Sequence, residues 1–233
     1  RQMCIRDSSN SIYSLLVDDR GAVWVGHFQA GLDYSLYQNG LFRTYAYPPL
    51  FNSANLSIRS FVNRGPEKVI GSRDGLFYIN EATGIVKSFV KPVLTSDLIL
   101  TICFYEGEYY IGTYGGGMMV LNPQTLSLKY FTQGDTELFQ KGHIFCVKPD
   151  NRGNLWIGTS QGLFCYNGQT KQIKNFTSAN SQLPEGNVYE VSFDSTGKGW
   201  IATETGMCIY DPASQSLRSN VFPEGFVHKD KVR

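Results

Sequence analysis

Asp150-Asn151-Arg152-Gly153-Asn154-Leu155-Trp156-Ile157-Gly158-Thr159-Ser160-Gln161-Gly162-Leu163 is the stretch on which the fold turns, because its plan recurs along the chain. A polar turn is followed by an aromatic or apolar pair, a small residue, a short polar loop, then glycine and a second apolar run. The same order appears at Trp24-Val25-Gly26 to Gly31-Leu32, Val69-Ile70-Gly71 to Gly75-Leu76, Tyr110-Ile111-Gly112 to Gly117-Met118 and Trp200-Ile201-Ala202 to Gly206-Met207. The small residues Gly26, Gly71, Gly112, Gly158 and Ala202 are 41 to 46 residues apart. That period is the length of one propeller blade.

Working outward, each copy is preceded by a short run with apolar residues at offsets 0 and 3 and usually 5: Ile12/Leu15/Val17, Ile58/Phe61, Ile99/Ile102/Phe104, Ile144/Val147 and Val188/Val191/Phe193. These read as buried strands. Between them and the Trp-type strand lie Asp/Asn and glycine clusters such as Asp18-Asp19-Arg20-Gly21 and Asp194-Ser195-Thr196-Gly197, which suit tight reversals. After the Gly-Leu strand come further turns (Asn122-Pro123, Asp211-Pro212) and a more polar fourth strand near Phe42, Val86, Tyr130, Ile173 and Leu217. The expected fold is all-β: a β-propeller of four-stranded antiparallel blades, five of them at about 10–55, 56–96, 97–142, 143–186 and 187–222. Residues 1–9 match no repeat and stay unassigned. Residues 223–233 read as the start of a sixth blade, so the chain reads as an excerpt of a larger propeller. Radial stacking would bury both faces of each sheet, with Trp24, Trp156 and Trp200, and Val69 and Tyr110 in the equivalent places, filling the seams.

Composition removes several function classes. Among 233 residues, 21 Lys and Arg stand against 20 Asp and Glu, for a formal charge of +1. That total gives no basic face for nucleic acid. No apolar run reaches the roughly 20 residues that span a bilayer, and the N-terminus lacks the apolar centre of a secretory signal. Five cysteines, Cys4, Cys103, Cys146, Cys165 and Cys208, are scattered without a Cys-x-x-Cys pair and read as core residues, not as a zinc site. The Asp150–Asn154 turn lacks the terminal glutamate of a calcium loop. No metal, cofactor or catalytic residue is expected.

The quoted stretch, together with Asp18-Asp19-Arg20-Gly21-Ala22-Val23-Trp24-Val25-Gly26, resembles the D-x-x-G-x-hydrophobic-W-I-G-T-x-x-G-L repeat of two-component regulator propellers. The resemblance covers about residues 10 to 222. It is weaker where Val69 replaces the aromatic and Ala202 replaces glycine. It implies the periplasmic sensor region of a Bacteroidetes-type hybrid histidine kinase. In such proteins propellers precede a β-sandwich, a membrane helix and kinase modules, and many control glycan-degradation genes. The implied partners are an oligosaccharide ligand, the downstream β-sandwich and kinase modules of the same parent, and a second copy in a homodimer. This stretch itself shows no β-sandwich, membrane helix, phosphoacceptor-histidine motif or kinase glycine box, so the fragment is expected to be non-catalytic.

In a propeller the loops joining second to third strands gather on one rim. The candidate ligand contacts are His27, Arg73, Tyr114, Gln161 and Glu204 from those loops, with Tyr13, Arg59 and Tyr189 from the first strands at offset one. Planar rings, a bidentate donor and acceptor groups form the mixture that holds a hydroxyl-rich or anionic oligosaccharide. Two other classes stay open. One is a protein-interaction scaffold. The other is a glycan-cleaving propeller, since Ser192–Trp200 resembles a sialidase Asp-box and Asp74 and Glu204 offer two carboxylates.

Overall fold

The computed structural model describes residues 12–18, 21–27, 32–35, 42–44, 57–134 and 136–219. They form five four-stranded antiparallel sheets, each a meander in chain order, which are five β-propeller blades. Blade one holds β1 (Ile12–Val17), β2 (Val23–His27), β3 (Leu32–Ser35) and β4 (Phe42–Thr44). Blade two holds β5 (Ile58–Arg64), β6 (Glu67–Ser72), β7 (Gly75–Asn80) and β8 (Ile85–Phe89). Blade three holds β9 (Ile99–Tyr105), β10 (Glu108–Thr113), β11 (Met118–Leu121) and β12 (Leu128–Tyr130). A short helix α1 (Thr136–Lys141) follows. Blade four holds β13 (Ile144–Pro149), β14 (Asn154–Thr159), β15 (Gly162–Asn167) and β16 (Ile173–Phe176). Blade five holds β17 (Val188–Phe193), β18 (Gly199–Thr203), β19 (Met207–Asp211) and β20 (Ser216–Ser219). The fourth strands fall where the polar runs near Phe42, Val86, Tyr130, Ile173 and Leu217 place them. Residues 1–9 and 223–233, to which no repeat and a sixth blade were assigned, lie outside the described residues.

The chain divides into two compact units, Arg1–Ile102 and Cys103–Arg233, with the boundary inside β9. In the first unit Trp24 is buried, stacked on Tyr34 at 5.1 Å and tilted against Phe61 of the next blade at 5.8 Å. The small residue two places on is what lets the sheets approach. A Cβ on Gly26 would lie 3.2 Å from Ile58 Cγ2, and one on Gly71 would lie 2.5 Å from Ile99 Cγ2. Ile58 and Ile99 are fully buried as a result.

The second unit repeats the device. Trp156 is fully buried, with Phe176, Phe193 and Tyr210 ringed around it at 5.8, 5.7 and 4.5 Å. A Cβ on Gly158 would meet the Val188 carbonyl oxygen at 2.6 Å. Tyr105 adds a polar tie between blades three and four: its hydroxyl donates to the Gly153 carbonyl at 2.7 Å and accepts from the Gly168 amide at 2.9 Å.

Two expectations about packing fail, and both failures concern neighbours. Trp200 does not fill a seam: it is 41% exposed, because no described residue covers the outer face of β18 that Trp156 shows to blade five from β14. Ile12, Leu15 and Val17 of β1 are likewise exposed, whereas Ile58, Ile144 and Val188 at the first of these positions are fully buried. Apolar periodicity records which residues could face a neighbouring sheet and says nothing of whether one is there. Helix α1 was also unforeseen. It seats Leu138 and Phe139 in the core of blades three and four.

Cys103, Cys146 and Cys208 are buried and Cys165 half-buried, all as free thiols. Burial pushes all four from 9.0 up to about 12, and Tyr105 from 10.0 up to about 12. The folded chain therefore keeps protons that the unfolded chain releases. This contribution to stability is full below pH 9.0 and is lost as pH rises towards about 12. The urea unfolding midpoint is expected to fall steadily above about pH 9, with a shallower slope in Cys146→Ala. A midpoint that stays flat to about pH 11 would contradict these buried environments.

Candidate functional site

Two recurring elements of the repeat serve the fold. Asp150 accepts from the Arg152 and Asn154 amides at 2.8 Å and from Trp156 Nε1 at 2.9 Å, so one carboxylate fixes both the turn and the indole. Asp18 does the same for the Ala22 amide and Trp24 Nε1. The hydroxyl after the small residue closes the next hairpin: Ser72, Thr113, Thr159 and Thr203 donate to the carbonyls of Gly75, Gly117, Gly162 and Gly206. The Asp150 oxygens are committed to N–H donors, which is how that turn holds itself together. Among the described residues, no group of three His, Cys, Asp or Glu side chains could hold a metal ion.

The rim is built from three other positions of the repeat. The residue after that hydroxyl donates its amide to the carbonyl of the residue that enters the first strand: Arg73 to Ser57, Ser160 to His143 and Glu204 to Asn187. Two places into the strand the register slips. The pairings jump from Ile12 to Ser14, Ile58 to Ser60, Ile144 to Cys146 and Val188 to Glu190. The skipped residues are Tyr13, Arg59, Phe145 and Tyr189. A bulge leaves its extra residue outside the ladder and re-aims its side chain, so three of the predicted contacts share one backbone device.

In the first unit this brings Tyr13 and Arg59 together, with the guanidinium 4.7 Å from the ring centroid. Arg59 Nε is buried without a hydrogen-bond partner among the described residues. Arg73 is exposed. The side chain of His27, the last residue of β2, lies outside the described residues.

In the second unit the rim is a run of rings. Tyr114 lies over His143 with centroids 4.0 Å apart, His143 is 6.2 Å from Phe145, and Phe145 is 5.2 Å from Tyr189. The run ends on polar groups. Asn187 Nδ2 donates to the Tyr189 hydroxyl at 3.2 Å and to Glu204 Oε2 at 3.1 Å. Next to it lies a cavity of about 290 Å³ lined by Gln161, Ser160, Thr177, Ser178, Glu185 and Gly186, among others; a Cβ on Gly186 would touch that of Glu204. Tyr114, Tyr189, Glu204 and Gln161 are thus joined on one rim, through His143 and Asn187. Those two were not picked from sequence, although a polar residue stands just before four of the five first strands, Leu98 being the exception.

A family model described as the two component regulator propeller matches residues 7–29 and 139–161, each a first strand, turn and Trp-type strand. Two segments of the chain are thus two-component regulator propeller repeats. Among solved structures, the chain superposes on the extracellular domain assigned to a hybrid two-component system of B. thetaiotaomicron. The TM-score is 0.76 at 25% identity, over 90% of this chain and 28% of that one. The extracellular domain of a second such system from the same organism gives 0.64 at 17% identity, over 97% and 35%. PorZ, a surface component of the type-IX secretion system of Porphyromonas gingivalis, gives 0.64 at 16%, over 82% and 30%. The last two show the fold alone. The chain spans about a third of the length of these structures. No curated protein matches it. Among the described residues, no helix is long and apolar enough to cross a membrane.

Proposed function

We propose that this chain is the extracytoplasmic, non-catalytic sensor region of a hybrid two-component regulator, lying in the periplasm. It would bind an oligosaccharide on the rim of the second unit and signal to kinase modules of the same parent protein. The observation that carries this reading is the ring run Tyr114–His143–Phe145–Tyr189 ending on the Asn187–Glu204 pair. Aromatic faces pack against the C–H faces of sugar rings while a held carboxylate accepts from their hydroxyls. The two-component regulator repeats and the likeness to sensor extracellular domains supply the context. Signalling requires only that the ligand favour one arrangement of the sensor over another by its differential affinity.

The test is calorimetry with neutral oligosaccharides on the purified chain. Tyr114→Ala and Tyr189→Ala should each weaken binding about tenfold or more, equivalent to about 1.4 kcal/mol, with the circular dichroism spectrum unchanged. Undiminished affinity in both variants rejects the rim as the binding surface. A second reading, a protein-binding scaffold, draws on the exposed Trp200. Capture of a defined protein partner that Trp200→Ala abolishes, with no glycan binding by the parent chain, would favour it.

A further inference from the structure

The charges around the second-unit rim are one-sided. Glu204 is held in place by its Oε2 bond from Asn187 Nδ2, while its Oε1 has no hydrogen-bond partner among the described residues. The adjoining cavity is lined by hydroxyls, the Gln161 carboxamide and Glu185, and no Lys or Arg contributes to its wall. Lys141, the basic residue nearest in sequence to His143, ends α1, where it complements the carbonyl end of the helix. Lys148 and Glu190 on the neighbouring first strands neutralise each other at 3.1 Å. The Asn187–Glu204 end of the ring run therefore offers acceptors and negative charge to whatever lies on it.

Resting on the oligosaccharide reading, we infer that this rim selects uncharged, hydroxyl-rich sugar rings and rejects those carrying carboxylate or sulfate groups. A neutral ring places hydroxyl donors against the open oxygen of Glu204. A uronate at the same position puts a second carboxylate beside Glu204 and Glu185, and like charges brought together without an intervening cation are a means of excluding a competitor. The rings contribute equally to both ligands, since a C6 carboxylate leaves the C–H faces of the sugar unchanged. Discrimination thus lies in Glu204, and affinity lies largely in the rings.

The experiment uses the full chain and matched hexasaccharides that differ at C6, mannohexaose against hexamannuronate and cellohexaose against its C6-oxidised form, by calorimetry at low and moderate salt. The neutral member of the pair that binds should be at least tenfold tighter than its uronate. Glu204→Gln should bring the ratio towards unity, as should raising the salt, which screens exposed charges. Equal or tighter binding of the uronate by the parent chain overturns the selectivity while leaving the oligosaccharide reading in place, and so does a ratio that Glu204→Gln does not change. Binding of no member of either pair overturns the oligosaccharide reading, and the selectivity with it.

Discussion

Trp156→Ala lowers the unfolding free energy by about 3–5 kcal/mol, which for a chain of this size is a drop of roughly 10 °C in melting temperature. The side chain is fully buried, stacked nearly parallel to Phe176 and edge-on to Tyr210 of the following blade. Removing it opens a cavity on the seam and leaves an Asp150 oxygen short of its Nε1 donor. Trp200→Ala, the same substitution one repeat later, is the control. Its indole is 41% exposed, so the loss should stay below about 1 kcal/mol. Thermal or urea unfolding of the two variants, followed by circular dichroism, measures the difference. Equal losses would mean that the two tryptophans occupy the same environment, contrary to the packing described above.

Gly158→Val should cost about as much, by the opposite route. Even the first added carbon would stand 2.6 Å from the Val188 carbonyl oxygen and 2.5 Å from Cys146 Sγ, and the first of these is backbone that cannot swing aside. Blades four and five must separate locally to admit the side chain, an overpacking cost of about 3 kcal/mol. Gly153→Ala separates this from the ordinary cost of losing a glycine. Its φ of +79 is left-handed, like the +77 of Gly21 and the +83 of Gly197 in the corresponding turns, yet nothing lies within 4 Å of the added carbon. Only the left-handed backbone is penalised there, by about 1–2 kcal/mol. Gly153→Ala proving the more damaging of the two would remove close sheet approach as the reason for the small residue.

Much of this architecture was legible because the repeat carries the same information five times. The Trp24 and Trp156 seams, the four strands per blade and the turn clusters all follow from side-chain chemistry that each copy restates. What escaped was of two physical kinds. The exposure of Trp200 and of the β1 face depends on what lies alongside, which no strand pattern encodes. The bulge is a backbone event without a compositional mark, so Tyr13, Arg59 and Tyr189 could be picked by offset but not explained. His143 stands just before β13, and that placement is what puts its ring between Tyr114 and Phe145. Helix α1, at six residues, is too short to leave a helical period.

The slipped register has a consequence for how such surfaces diversify. At the skipped position the repeats carry Tyr13, Arg59, Phe145 and Tyr189, while the residue before it is Ile or Val in each, and Ile58, Ile144 and Val188 are buried in the seams. A residue set outside the ladder can be exchanged without disturbing the sheet beside it. Specificity in this architecture can then be rewritten one blade at a time, as a combinatorial library is, on a scaffold whose cohesion is encoded elsewhere in the same repeat.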